Sequence, residues 1–267
     1  MASTESAAPA RPDYGLDAPG VVRNLCVAAG AGLLAFLTAA FGLWSGRLAL
    51  PLGPVRLVFP LAQIGVVATA GCGSMAIWMV WSRRVGKARE RERLLDLIAW
   101  RGDERVLDVG CGRGLMLVGA AKRLRTGTVT GIDIWQAEDL SGNAPDAALT
   151  NAAREGVADR VEVRTADMRA MPFPDATFDV VVSRAAIHNL YSPADRAKAI
   201  AEIARVLKPG GRALIDDIRH HREYAVTFAA HGCRDVQWFG SAFTRAALAV
   251  VTVGALRPAV ILVTKER

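Results

Sequence analysis

The stretch Arg105-Val-Leu-Asp-Val-Gly-Cys-Gly-Arg-Gly-Leu-Met-Leu117 constrains the fold more than any other part of the chain. A continuous apolar run bounded by glycines reads as a strand buried on both faces, and such strands belong to parallel sheets. Gly110, Gly112 and Gly114 then make a tight turn into a helix beginning near Leu115. Without Cβ atoms the backbone there takes positive φ and comes within contact distance of a bound nucleotide, whose polar groups meet free N–H groups at a helix N-terminus.

Two details narrow the ligand. The dinucleotide fingerprint G-x-G-x-x-G requires glycine at position 115, which is Leu115; here the pattern is G-x-G-x-G with Asp108 two residues ahead. This points away from NAD and leaves a nicotinamide oxidoreductase as the weaker enzyme alternative. About twenty residues on, a second strand, Thr128-Val-Thr-Gly-Ile-Asp133, ends in an acid placed to bond both ribose hydroxyls. A third, Arg160-Val-Glu-Val-Arg164, leads to Ala166-Asp167-Met168, and a fourth, Phe178-Asp-Val-Val-Val-Ser183, to Arg184-Ala-Ala-Ile-His-Asn189.

From about residue 95 to 267 the chain resembles a class I S-adenosylmethionine (SAM)-dependent methyltransferase, closest in style to the small-molecule and quinone methylating branch. The matching segments are V-L-D-V-G-C-G-R-G, G-I-D-I, A-D-M-R-A-M-P-F-P-D-A-T-F-D-V-V-V-S and E-I-A-R-V-L-K-P-G-G-R-A-L-I. The resemblance implies an α/β, Rossmann-like, doubly wound seven-stranded sheet. It implies that Asp108 and the backbone of Gly110, Cys111, Gly112 and Gly114 hold the methionine part of SAM. Asp133 would bind the ribose with Ile134 against the adenine, Asp167 would accept from the adenine amino group, Met168 would pack beside the ring, and Ser183 would line the cofactor site.

Apolar residues make up 52% of the chain and aromatics only 6%, and the apolar excess lies at the front. Leu25 to Ser45 carries no charge for about 21 residues, enough to cross a hydrocarbon core of roughly 30 Å. Leu57 to Trp81 gives a second span of about 25, interrupted only by Gln63. Small residues recur in both spans and suit close helix contact. The expectation is a flexible leader over 1–23, a two-helix transmembrane hairpin over 24–82 and the methyltransferase domain over 83–267. A loop from Gly46 to Arg56 joins the spans.

The net charge of +7 raises the question of nucleic acid, but the densest basic run, Arg83, Arg84, Lys87, Arg89, Arg91 and Arg93, directly follows an apolar span and is not interleaved with aromatics. It reads as a cytoplasmic flank beside anionic lipid, which puts both termini and the catalytic domain in the cytosol. A cleaved signal peptide is disfavoured by the acidic leader and the second span. Two buried helices of a soluble domain remain the competing reading.

Cys26, Cys72, Cys111 and Cys233 show no zinc spacing and read as free thiols; no metal site is expected. In the leader, Asp13, Tyr14 and Asp17 are candidates to fold back over the active site, against the alternative of a disordered segment. Lys87 to Trp100 reads as an amphipathic helix. Further helices are expected over Leu115–Leu124, Pro145–Glu155, Pro193–Val206 and Glu223–Ala230. Lys208 to Arg212 reads as a turn, with strands over Ala213–Asp216, Asp235–Phe239 and Ala259–Thr264, the last antiparallel.

Ligands in such sheets bind at the carboxyl ends of the strands, so Ser183 to Asn189 and Asp216 to His221 flank the reacting methyl. His188 is the candidate general base, because a histidine titrates near neutral pH and an O–H or S–H acceptor must lose a proton. Asn189 and Tyr191 are candidates to orient the acceptor. Asp217, His220 and Tyr224 crowd the opposite wall. Metal binding by His188, His220 and an acid is the weaker alternative. The acceptor reads as small and hydrophobic or lipid-like. A soluble metabolite, with the hairpin a mere anchor, and a non-catalytic SAM-binding protein are the alternatives. Oligomeric state is not legible.

Overall fold

The computed structural model describes residues 11–241, 246 and 257–267, except for the side chains of 82–85. Residues 1–10 of the expected leader and the side chains of Arg83 and Arg84 lie outside the described set. Two compact units divide the chain: a smaller one of residues 15–86 with 138–141, and a larger one that takes 11–14, 87–137 and 142 onward.

In the smaller unit, helix α1 (Pro19–Ala40) starts six residues before the apolar run expected from Leu25, with proline in its first turn where the missing N–H costs nothing. It ends at Ala40 rather than Ser45, the chain turning at Gly42 with φ of 75°. The expected loop between the spans is instead an antiparallel hairpin, β1 (Leu48–Leu52) and β2 (Val55–Phe59), closed through Gly53-Pro54 with Leu52 opposite Val55. Pro51 and Pro54 suggested irregular chain, but a proline is tolerated in a two-stranded ribbon whose N–H groups face outward. Helix α2 (Leu61–Leu95) then runs for 35 residues, so the expected second span and the amphipathic helix after it are one continuous element. No proline stands between Trp81 and Lys87, and a lone Gly86 does not break a helix.

The two helices approach at glycines. A Cβ on Gly32 would lie 2.5 Å from the Gly65 carbonyl oxygen, and one on Gly65 the same distance from that of Gly32. Thr69 adds a hydrogen bond from its hydroxyl to the Ala29 carbonyl at 3.0 Å.

The larger unit carries β3 (Arg105–Val109), α3 (Leu115–Ala121), β4 (Thr128–Asp133), α4 (Pro145–Arg154) and β5 (Val161–Thr165). After these come β6 (Phe178–Arg184), α5 (Pro193–Val206), β7 (Leu207–Asp217), α6 (His221–Ala230), β8 (Cys233–Phe239) and β9 (Ala259–Lys265). They form one sheet in the order β5-β4-β3-β6-β7-β9-β8, in which only β9 runs against its neighbours. This is the Rossmann-like, mostly parallel arrangement expected. Its strand order reverses between β3 and β6, where such sheets open a ligand crevice. The turn expected at Lys208–Arg212 sits inside the long β7 as an irregularity: Phe178 pairs with Leu207, but Val180 already pairs with Arg212.

Each face of the sheet buries its own core. Leu94, Leu95, Met116, Leu117, Ala148 and Val182 fill one side; Ile187, Ile200, Ile203, Tyr224 and Phe228 fill the other. Ile203 is fully buried on α5. Ile203→Ala is expected to lower stability by about 2–5 kcal/mol, read from denaturation of the full chain.

Candidate active site

The glycine loop follows β3 because the chain must turn back sharply beneath a neighbouring segment. Gly110 has φ of 72°, and a Cβ there would lie 2.3 Å from the Cβ of Ala186. The amides of Gly110 and Cys111 both donate to the Ile132 carbonyl, at 2.9 and 3.0 Å, which fixes the turn against β4. The Cys111 side chain packs inward, its Sγ 2.8 Å from where a Cβ on Gly131 would stand, so only its backbone is offered to a ligand.

Asp108, one residue before the end of β3, is 1% exposed, and its Oδ2 has no hydrogen-bond partner. Burial, with the charge of Asp133 adding to it, pushes the Asp108 carboxyl up to about 8. A buried acid in that condition fits a cationic ligand group, as the ammonium of an amino-acid moiety would be. Asp133 takes the Gly112 amide on Oδ2 at 2.8 Å, and the Trp135 amide at 2.7 Å and Asn143 Nδ2 at 3.3 Å on Oδ1. It therefore joins the glycine loop to the loop after β4. Ile134 beside it is 46% exposed, an apolar surface for a flat ring. Sequence reading missed Asn143 and Trp135; the latter stands at φ of 61° with Nε1 donating to Thr165 Oγ1 at 2.8 Å. Neither carries a local motif.

The remaining expected cofactor residues differ in placement. Met168 is partly buried, its Cε 3.7 Å from a Cβ built on Gly110, beside the loop. Asp167 is held by Arg169, with Nη2–Oδ2 at 2.6 Å, and Arg169 continues to Asp195 at 3.2 Å; the Arg169 guanidinium holds the Asp167 carboxyl below its usual range. Ser183 corrects the expectation: it is 1% exposed and donates to the Val109 carbonyl at 2.8 Å, so it ties β6 to β3 and has its hydroxyl committed within the sheet.

Across the crevice, His188 lies in a short turn (Ile187–Asn189) after β6. Its Nδ1 meets Asp217 Oδ1, and its backbone amide donates to Asp217 Oδ2 at 3.0 Å. Asp217, buried at the end of β7, also accepts from the Ile218 amide at 2.8 Å and the Tyr224 hydroxyl at 3.2 Å. Burial and the neighbouring Asp217 push the Tyr224 phenol up, so it stays a donor. With a carboxylate on Nδ1, the tautomer assigned from this network carries its proton there and leaves Nε2 as a lone-pair base. Among the described residues no hydrogen bond takes Nε2. His220 separates from this group: it pairs with Glu223 at 3.4 Å, and Glu223 is clamped by Arg196 at 3.0 Å. Burial, then the Arg196 charge, holds the His220 imidazole below its usual range. Tyr191 is almost wholly exposed and lines no wall.

The leader residues also separate. Tyr14 is buried with its hydroxyl on Glu155 and Arg91, and Asp13 reaches Arg113 in the glycine loop at 3.1 Å. Asp17 bridges to Leu140 within the smaller unit.

A family model described as "Methyltransferase domain" matches residues 107–215. The 27-O-demethylrifamycin SV methyltransferase of Amycolatopsis mediterranei is 37% identical over 132 residues, 48% of this chain and 44% of that protein. The demethylmenaquinone methyltransferase of Lactiplantibacillus plantarum is 36% identical over 123 residues, 46% of this chain and 48% of its own length. The chain thus spans about half the length of the curated relatives it matches. The crystal structure of geranyl diphosphate C-methyltransferase from Streptomyces coelicolor, solved with S-adenosylhomocysteine, superposes with a TM-score of 0.55 at 18% identity, covering 70% of this chain and 82% of that one. That likeness concerns the fold. Residues 107–215 thus match a methyltransferase domain, over the stretch where relatives named as methyltransferases align.

Two outcomes follow from the loop. Gly110→Ala is expected to abolish S-adenosylhomocysteine binding measured by calorimetry, since both φ and the Ala186 contact forbid a Cβ. For Asp108, folding raises the carboxyl from an ordinary value near 3.9 to about 8, so its contribution to stability is present below about pH 4 and is lost as pH rises toward 8. A cationic group binding there requires that proton to leave. Affinity for S-adenosylhomocysteine is therefore expected to rise between about pH 6 and 8 and to lose that slope in Asp108→Asn.

Proposed function

We propose that this chain is a SAM-dependent methyltransferase of class I fold, and that it methylates a small, hydrophobic or lipid-like acceptor drawn from a membrane in which α1 and the first part of α2 are inserted. The observation that carries the chemical part is the His188–Asp217 pair at the open end of β6 and β7. Bound at the glycine loop, SAM supplies a methyl group on a sulfonium, already activated for displacement. The protein's own residues then have three tasks. The loop and Asp133 hold the donor, the turn after β6 aligns the acceptor, and His188 Nε2 takes the acceptor's O–H proton as the new bond forms. Asp217 keeps the imidazole in one orientation and stabilises its charged form; the Tyr224 hydroxyl and the Ile218 amide hold Asp217 in turn. This arrangement favours an acidic oxygen nucleophile such as a phenol or quinol.

Support for the membrane comes from the smaller unit. Pro19–Ala40 and Leu61–Trp81 are long and apolar enough to cross a bilayer, and only 11% of each apolar window is buried. The core helix of a soluble domain hides such a surface. By the positive-inside rule, the basic run after Trp81 supports a cytosolic side there, in line with a methyl donor that is cytosolic. Two relatives that act on a menaquinone precursor and a rifamycin, as their names state, favour a bulky apolar acceptor.

The test is incubation of the full-length protein in detergent with methyl-labelled SAM and whole-cell extract, followed by organic and aqueous partition. Label in the organic phase supports the reading; label only in small aqueous products reduces the hairpin to an anchor, and binding without transfer overturns catalysis. With an acceptor in hand, His188→Ala is expected to lower kcat by about 10²- to 10⁴-fold while S-adenosylhomocysteine affinity holds. Retention of the protein in membranes washed at alkaline pH checks the insertion.

A further inference from the structure

Resting on the methyl-transfer reading, we propose that Asp13 is a positioning residue that latches the glycine loop through Arg113 and so sets how tightly SAM and its demethylated product are held. Arg113 stands between Gly112 and Gly114, and its guanidinium faces away from the loop toward two other segments. Nη2 pairs with the Asp13 carboxylate at 3.1 Å, Nε donates to the Asp13 carbonyl at 2.7 Å, and Nη1 donates to the Gly142 carbonyl at 3.0 Å. The fork thus joins the loop to the leader and to the segment that carries Asn143, a partner of the ribose-side acid Asp133.

Asn151 closes the same network from beneath. It is 1% exposed on α4; its Oδ1 accepts from the Asp13 amide at 2.9 Å, and its Nδ2 donates to both the Asp13 carbonyl, at 2.8 Å, and the Arg113 carbonyl, at 2.9 Å. One buried amide side chain therefore holds the leader backbone and the loop backbone together. Displacing residue 13 leaves that amide short of partners in a site water does not reach readily.

The next residue pins the leader. Tyr14 is buried, its hydroxyl donating to Glu155 and accepting from Arg91 Nη1 at 2.9 Å, while Lys87 Nζ donates to its carbonyl at 3.1 Å. Burial alone raises the Glu155 carboxyl, but Arg91, Lys122 and Tyr14 outweigh it and hold it at about 2, so this anchor remains ionised at neutral pH. Mechanically the latch matters because Gly110, Gly112 and Gly114 all sit at positive φ. Such a loop loses more conformational entropy than others when a ligand fixes it, and an external tie removes part of that loss before binding.

The experiment uses the full-length protein in detergent and compares wild type with Asp13→Ala and with Asp13→Asn, which keeps the side chain's size and removes its charge. Calorimetry with S-adenosylhomocysteine is expected to give about fivefold to tenfold weaker binding in Asp13→Ala and a smaller loss in Asp13→Asn. Amide hydrogen exchange in the cofactor-free protein is expected to quicken about tenfold at Gly112 to Gly114. In turnover, KM for SAM should rise by the factor seen in binding, with kcat at saturating SAM within about twofold of wild type. Affinity and exchange both within about twofold of wild type overturn the latch, as does a fall in kcat at unchanged KM. Failure of the wild type itself to bind S-adenosylhomocysteine overturns the methyl-transfer reading and the latch with it.

Discussion

The rest of the larger unit depends on one close approach, that of Gly110 to Ala186. At the point where the strand order reverses, the chain leaving β3 and the chain leaving β6 meet with no room for a side chain on the first. Ala185, at φ of 51°, bends the second chain into place and donates its amide to the Asp216 carbonyl at 2.8 Å. Two residues past Ala186 comes His188, already bonded to Asp217 on β7. A single steric constraint thus puts the glycine loop and His188 on adjoining strand ends, the kind of alignment a displacement reaction needs.

Two buried acids in this region are treated in opposite ways. Asp217 is saturated: His188 supplies Nδ1 and its amide, Ile218 an amide and Tyr224 a hydroxyl. Its hydrogen-bonding capacity is met inside the protein, which fixes the orientation of His188. Asp108 has an unpartnered oxygen and a carboxyl raised by burial. An unpartnered buried oxygen costs stability, and a cationic group placed against it would offset that cost.

What was legible in the sequence was local. The glycine loop, Asp108, Asp133, the alternation of strands and helices and the antiparallel β9 each leave a signature within a few residues, through periodicity, turn chemistry or an acid at a strand end. What was not legible depends on partners far apart in the chain. Ser183 reads as a site residue until Val109 claims its hydroxyl, and His220 joins Glu223 and Arg196 instead of the neighbouring dyad. Arg113 reads as a variable position inside a motif until Asp13, a hundred residues earlier, is placed against it. The hairpin of β1 and β2 was hidden differently. Hydropathy averages over a window, so Leu57 to Phe59 merged into the apolar span that follows, and Pro51 masked an edge strand.

The smaller unit obeys a different accounting. Val67 and Ile77 are each 72% exposed and Trp78 is 60% exposed, on a helix whose charged residues all lie beyond its first twenty. In water, leaving such surfaces bare forgoes roughly 25 cal/mol for every Å² that burial would recover. Contact between α1 and α2 does not remove it, because the glycine crossing at Gly32 and Gly65 joins backbones while the large side chains point elsewhere. Close packing of small residues with the bulky ones turned outward is the division of labour expected where the surrounding medium is itself apolar.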